Sequence, residues 1–153
     1  MRQDHLFEET LALFTPDAIE RASRQLGESQ EKVALALSGI VPFILEAAKQ
    51  NANSSTLADL TTDYRDDAAY SDPAELLRST DYNEWLSENE GLIPAVFGDR
   101  SEDVISEMTD KSGLQRESTK RLILTAIPAA LGMIGRAFRP GAIPGNDLPP
   151  YFV

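Results

Sequence analysis

The sequence predicts an all-α, multihelical single domain with internal duplication of a helix–Gly–helix unit whose second helix carries a mid-helix proline. Three observations point there. No segment alternates apolar and polar residues at the period of a strand. Two uncharged stretches, Val33–Leu45 and Leu122–Gly135, have helical length and a proline inside each. The chain also resembles itself: "AIERASRQLGESQEKVALALSGIVPFIL" lies on "VISEMTDKSGLQRESTKRLILTAIPAAL" without a gap, 86 residues on. Ile19 falls on Ile105, Gly27 on Gly113, Glu31 on Glu117, Leu37 on Ile123, Val41 on Ile127, Pro42 on Pro128 and Leu45 on Leu131. A self-match at fixed offset is the signature of repeated supersecondary units.

The 153 residues are enough for one buried core. Residues 1–138 are expected to form it, with repeat one over about 15–50, an acidic connector over 51–96 and repeat two over about 97–138. A Pro/Gly-rich tail, 139–153, follows. The opening "MRQDHLFEET" is charged, lacks the apolar region of a secretory signal and is expected to fray.

In repeat one, Thr15 suits an N-cap and Pro16 suits N1, where its missing N–H costs nothing. The helix starts near Asp17 and ends at Gly27, where glycine tolerates a left-handed backbone. Ser29 caps the next helix, about Gln30 to Gln50. In repeat two the helices run from about Ser101 to Gly113 and from about Arg116 to Phe138, and Gln115 or Arg116 is a poorer cap than Ser29. Pro42 and Pro128 remove the donors to the Ser38 and Leu124 carbonyls, so each helix is expected to kink, at about 3 kcal/mol if uncompensated. Pro42, Pro128, Gly27 and Gly113 are thus structural positions. The freed carbonyls, near Ser38 and Thr125, are a second candidate for receiving a ligand. Both proline helices become apolar all round, which implies burial on all sides. They are expected to pack on each other at the centre.

Between the repeats, "NANSSTLADL" predicts a turn and a short helix capped by Ser54 or Ser55, and residues 61–72 predict a polar surface loop. Asp72, Pro73 and Glu75 make a helix start. Leu76, Leu77, Tyr82, Trp85 and Leu86 supply an apolar face, with Trp85 as a core anchor. "GLIPAVFGD" predicts a short helix ending at Gly98. Pro140, Pro144, Pro149 and Pro150 bar a helix from the tail, whose "YFV" is apolar enough to dock in a groove of its own body.

The absence of cysteine excludes disulfides and thiolate chemistry. Net charge is −11, which argues against general binding to nucleic acid or anionic lipid. The charge is divided: residues 1–110 hold 8 basic and 23 acidic groups, residues 111–153 hold 6 and 2. A membrane span needs roughly 20 apolar residues, more than either stretch offers. His5 is the lone histidine, so a His-based catalytic or metal cluster is not expected. "DYRDD" (63–67) lacks the glycine and terminal glutamate of a calcium loop. Glu46, in an apolar helix, is a candidate buried acid, or else reaches the surface or pairs with Lys49. No phosphate-binding or dinucleotide motif occurs. No cofactor, metal or catalytic residue is assigned.

"LGESQEKVALALSGIVPFILEAAKQNANSSTLADL" and "AVFGDRSEDVISEMTDKSGLQRESTKRLILTAIPAALGMIGR" resemble the two halves of the bacterial YidB-like family of unknown function. The likeness spans about residues 10–138. It rests on the interhelix glycine, the mid-helix proline, "NANSS" and "FGD". The acidic segment 61–90 departs from the family's glycine- and alanine-rich connectors. The resemblance implies a duplicated all-helical fold and no assigned reaction. Some relatives are similar to this domain joined to an OmpA-like peptidoglycan-binding domain, a hint of the cell envelope. With no such domain or export signal in this sequence, a cytoplasmic location is expected.

The expectation is therefore a non-enzymatic helical module that binds a protein partner or itself. Its candidate surfaces are the basic stripe Arg116, Lys120 and Arg121, or a groove flanked by the tail. Two alternatives remain. The helix–Gly–helix spacing around Ser23, Gly27 and Val33, with Lys111, Arg116, Lys120 and Arg121 in the second unit, resembles a helix-turn-helix able to touch phosphates. Glu28 and Glu31 oppose that. The apolar helices also allow reversible association with a membrane surface.

Overall fold

The helices, in a computed structural model that describes residues 2–50, 55–66 and 72–137, follow one another closely. They are α1 (Arg2–Ala12), α2 (Pro16–Leu26), α3 (Gln30–Gln50), α4 (Ser55–Asp66) and α5 (Pro73–Arg78). After them come α6 (Tyr82–Glu88), α7 (Leu92–Phe97), a 3-10 turn over Gly98–Arg100, α8 (Ser101–Ser112) and α9 (Arg116–Ala137). Among the described residues there is no strand.

Local chemistry sets the helix ends. The Thr15 hydroxyl accepts the Ala18 N–H at 3.2 Å, and Pro16 occupies N1 of α2. Ser29 Oγ accepts the Lys32 N–H at 3.2 Å and opens α3. Asp72 caps α5 through the Ala74 N–H, with Pro73 at N1. Gly27 and Gly113 both take left-handed backbones, φ 67° and 79°, and close α2 and α8. Helical structure continues through Pro42 and through Pro128.

Shifted by 86 residues, α2 and α3 fall on α8 and α9 to within one residue at each end. At the same offset Leu6–Leu11 of α1 falls on α7. Both α1 and α7 pack on α3 and on α9. The two interhelix turns lie against each other. Glu28 Oε2, in the first, accepts the Gln115 N–H of the second at 3.0 Å. The Ser118 hydroxyl donates to the Leu26 carbonyl at 3.5 Å, and a side chain built on Gly113 would meet the Lys32 stem. The weak cap at Gln115 is thus replaced by a carboxylate from the other turn, which also suits the helix dipole.

α9 is the centre: every residue from Leu122 to Gly132 is buried, and α9 packs against each of the other helices. The two proline helices do touch, but α9 packs most extensively on α4. α3 departs from the expectation of burial on all sides. Its inner row, Val33, Leu37, Ile40 and Ile44, is enclosed, whereas Leu35, Ser38 and Pro42 are exposed. An apolar sequence states a preference for burial, and nothing among the described residues meets it on this face.

Two further expectations change. The N-terminus is helical, because Leu6, Thr10 and Phe14 form a row that buries against α3 and α9. Residues 61–66, expected in a loop, extend α4, with Leu57, Thr61 and Tyr64 buried along one side. The turn at 51–54 and the tail from 138 lie outside the described residues.

Candidate functional site

A cleft of ≈ 360 Å³ lies between the C-terminal half of α3, α7 and the start of α8. Its apolar wall includes Phe43, Pro94, Phe97 and Val104, and its polar edge Glu46, Gln50, Asp99 and Arg100. The corner "FGDR" shapes one side. Gly98 holds φ 58° and ψ −131°, a conformation that strongly favours glycine, although a Cβ there would meet no atom within 4 Å. The glycine therefore serves the backbone path and not close packing. Glu46 is half-buried, and its carboxylate accepts a hydrogen bond from Gln50 Nε2 at 3.3 Å.

Along α3 the cleft continues into an outer face. Phe43 lines the cleft, Pro42 beside it is exposed, and Leu35, two turns back, is 55% exposed. The face runs roughly Leu35, Ser38, Pro42, Glu46, the spacing of one helix side. The equivalent side of α9 is closed. Arg121 and Leu124, equivalent to Leu35 and Ser38, border a small cleft of ≈ 120 Å³ against α6, and Pro128 is buried.

The residues of the basic stripe each lie beside acidic groups. Arg116 pairs with Glu102 of α8 and donates to Ser106 Oγ at 3.3 Å. Arg121 lies 3.7 Å from Glu117, one turn earlier. Lys120 joins Arg121 at the small cleft beside Glu90 and Glu117. The pairing follows from the acids interleaved on α8 and α9.

Ser38 and Thr125, named as neighbours of the carbonyls freed by proline, differ in setting. Ser38 is exposed and its hydroxyl donates to the Leu35 carbonyl at 2.7 Å. Thr125 is fully buried and its hydroxyl donates to the Arg121 carbonyl at 2.8 Å. A hydroxyl has one proton, so the 2.6 Å contact between Thr125 Oγ1 and the Tyr82 phenol is a bond that Tyr82 donates. Burial pushes the Tyr82 pKa up from 10.0, against smaller opposing effects of Thr125 and the Arg121 charge. Trp85 is a core residue. Among the described residues no group of three His, Asp or Glu side chains is placed to hold a metal ion, and no helix is long and apolar enough to cross a membrane.

The family described as Bacterial protein of unknown function (DUF937) matches residues 8–137. The chain belongs to that family. The match takes in all of α2 to α9 and the last part of α1, from Glu8, and so the cleft and both interhelix turns of this DUF937 domain. The YidB-like resemblance is consistent with it. No curated protein and no solved structure matches the chain. Of the cleft residues, sequence reasoning singled out Glu46 and the "FGD" corner. It missed Phe43 and Arg100, which come together only when α7 folds back on α3, and it missed the exposure of Leu35. Polar residues about two turns apart on α3, Glu31, Ser38 and Glu46, were the available signal for an outward side.

Proposed function

We propose that this protein is a non-enzymatic helical module for protein interaction or assembly, working through the outer face of α3 and the adjoining cleft. The observation that carries the reading is the Leu35–Pro42–Phe43 row, which leaves apolar surface open on a helix whose counterpart, α9, is enclosed. Single exposed apolar residues are ordinary, but Leu35 and Pro42, on the helix that also supplies Phe43 to the cleft wall, form a mixed apolar and polar strip beside a concave site, the form a helix- or peptide-binding groove takes. The Glu46, Asp99 and Arg100 edge would supply register. We read the 86-residue register as an internal duplication, in which the two units kept one scaffold and diverged in what covers each proline helix.

The test is affinity capture with the full chain from native cells, run beside sedimentation of the purified protein. Leu35→Asp should reduce a specific captured partner or self-association severalfold while the far-UV helical signal holds. Charge reversal at Lys120 and Arg121 should have less effect. Capture and association that ignore Leu35→Asp would overturn the assignment of this face.

A further inference from the structure

The open face of α3 has a candidate occupant in the chain itself. Of the segment after the first proline helix, α7 returns to that helix at its C-terminal half, while α4, α5 and α6 pack mainly elsewhere. After Gln50, α4 packs most extensively on α9, and α6 reaches α9 through Tyr82 and Thr125. The first part of the connector following unit one therefore helps to enclose the proline helix of unit two, and its last helix, α7, touches both proline helices. Residues 138–153 follow the proline helix of unit two, and the face left open is that of unit one.

We propose that the tail, residues 138–153, lies across the outer face of α3, its apolar residues over Leu35, Pro42 and the α3–α7 cleft. The exchange is reciprocal: each unit's proline helix is covered by the segment that follows the other. Chemistry supports the pairing. The tail offers Ile143, Leu148, Tyr151 and Phe152 to an apolar row. Its prolines suit an extended path, and a preformed extended segment loses less entropy on docking.

Reach is sufficient. Sixteen residues in a proline-rich path span about 50 Å at roughly 3.1 Å each, against about 33 Å for the length of α9 at roughly 1.5 Å per residue. The tail can thus span more than the full length of α9, the helix it leaves, and α3 packs on that helix. This inference rests on the face proposed above and needs no partner. A partner using that face would have to displace the tail.

The absence of native cysteine makes the test direct. In the purified full chain, Phe152→Cys is paired in turn with Leu35→Cys, with Pro42→Cys and, as control, with Lys111→Cys, an exposed residue on α8. Mild oxidation should give an intramolecular disulfide severalfold faster with Leu35 or Pro42 than with Lys111. Equal rates at all three positions, or no cross-link at Leu35 and Pro42, would overturn the proposal. A cross-link between chains would overturn it in favour of a second copy as occupant. A second measurement needs no cysteine: Leu35→Asp should speed chymotryptic removal of the Tyr151–Phe152 end severalfold, and an unchanged rate counts against docking. Failure in the purified chain leaves partner capture by this face untouched, so the two readings fail separately.

Discussion

Replacing Thr125 by valine should destabilise the protein more than replacing its partner Tyr82 by phenylalanine. The Tyr82 phenol is buried and donates to Thr125 Oγ1 at 2.6 Å, while Thr125 passes its own proton to the Arg121 carbonyl. Tyr82→Phe removes the donor and leaves the Thr125 hydroxyl still bonded, so the loss is that of one net hydrogen bond, about 1 kcal/mol. Thr125→Val keeps the β-branched shape but strands the phenol proton in the core, and an unsatisfied buried donor costs roughly 1–3 kcal/mol. The double variant strands nothing and should resemble Tyr82→Phe alone, giving a coupling as large as the Thr125→Val loss itself, roughly 1–3 kcal/mol. Urea unfolding followed by far-UV circular dichroism measures all four proteins. With m near 2 kcal/mol/M, the Thr125→Val midpoint falls by about 1 M. Additive single effects, or a Thr125→Val loss no larger than that of Tyr82→Phe, would refute the assignment of donor and acceptor.

The phenol also sets a pH dependence. Its folded pKa is raised, so its contribution is fully present below pH 10.0, the ordinary tyrosine value, and is lost as pH rises from there through the folded pKa; absorbance at 295 nm should show one tyrosine resisting ionisation until unfolding. Thr10→Val should stabilise the fold by up to about 1 kcal/mol, because the Thr10 hydroxyl is wholly buried with no hydrogen-bond partner among the described residues. Glu28→Ala should cost about 1 kcal/mol by uncapping the start of α9, and thermal unfolding would show no change if the contact to Gln115 were idle. Gly98→Ala should cost roughly 1–3 kcal/mol through backbone strain alone, with equilibrium unfolding as the measure, since its Cβ meets no neighbour.

The helices that sequence located closely are those whose ends carry their own chemistry. Thr15, Pro16, Gly27 and Ser29 bound α2 and α3, and Gly113 marks the join of α8 and α9; each acts within four residues along the chain. α1 went unread because Thr10 interrupts its apolar row and its remaining surface is charged. The second half of α4 went unread for the same reason, Thr61 standing in a core position between Leu57 and Tyr64. In both helices a buried threonine passes for a surface residue until the covering helix is known. The acids beside the basic stripe were legible only in part. Glu117, one turn before Arg121, is a local neighbour that the sequence displays, whereas Glu102, which pairs with Arg116, lies on another helix. The cleft needs α7 to return to α3, a contact between segments some 50 residues apart that no local pattern encodes.

The divergence of α3 from α9 was present in the sequence at the level of single equivalent positions. Ser38, Glu46 and Lys49 on α3 stand where α9 has Leu124, Gly132 and Gly135. Phe43 and Ile44 stand where α9 has Ala129 and Ala130. Helix separation is set by the side chains at the contact, so the small residues of α9 admit close neighbours on that stretch, and none of them needs water. The same positions on α3 carry a carboxylate and an ammonium that must stay hydrated and a phenyl ring that holds neighbours off. Two helices with a shared proline and a shared register are thereby assigned different places, one as the enclosed axis of the fold and one with a side turned outward. On the outward side Leu35 and Pro42 stay exposed beside Ser38, so the two helices share a register without sharing an environment.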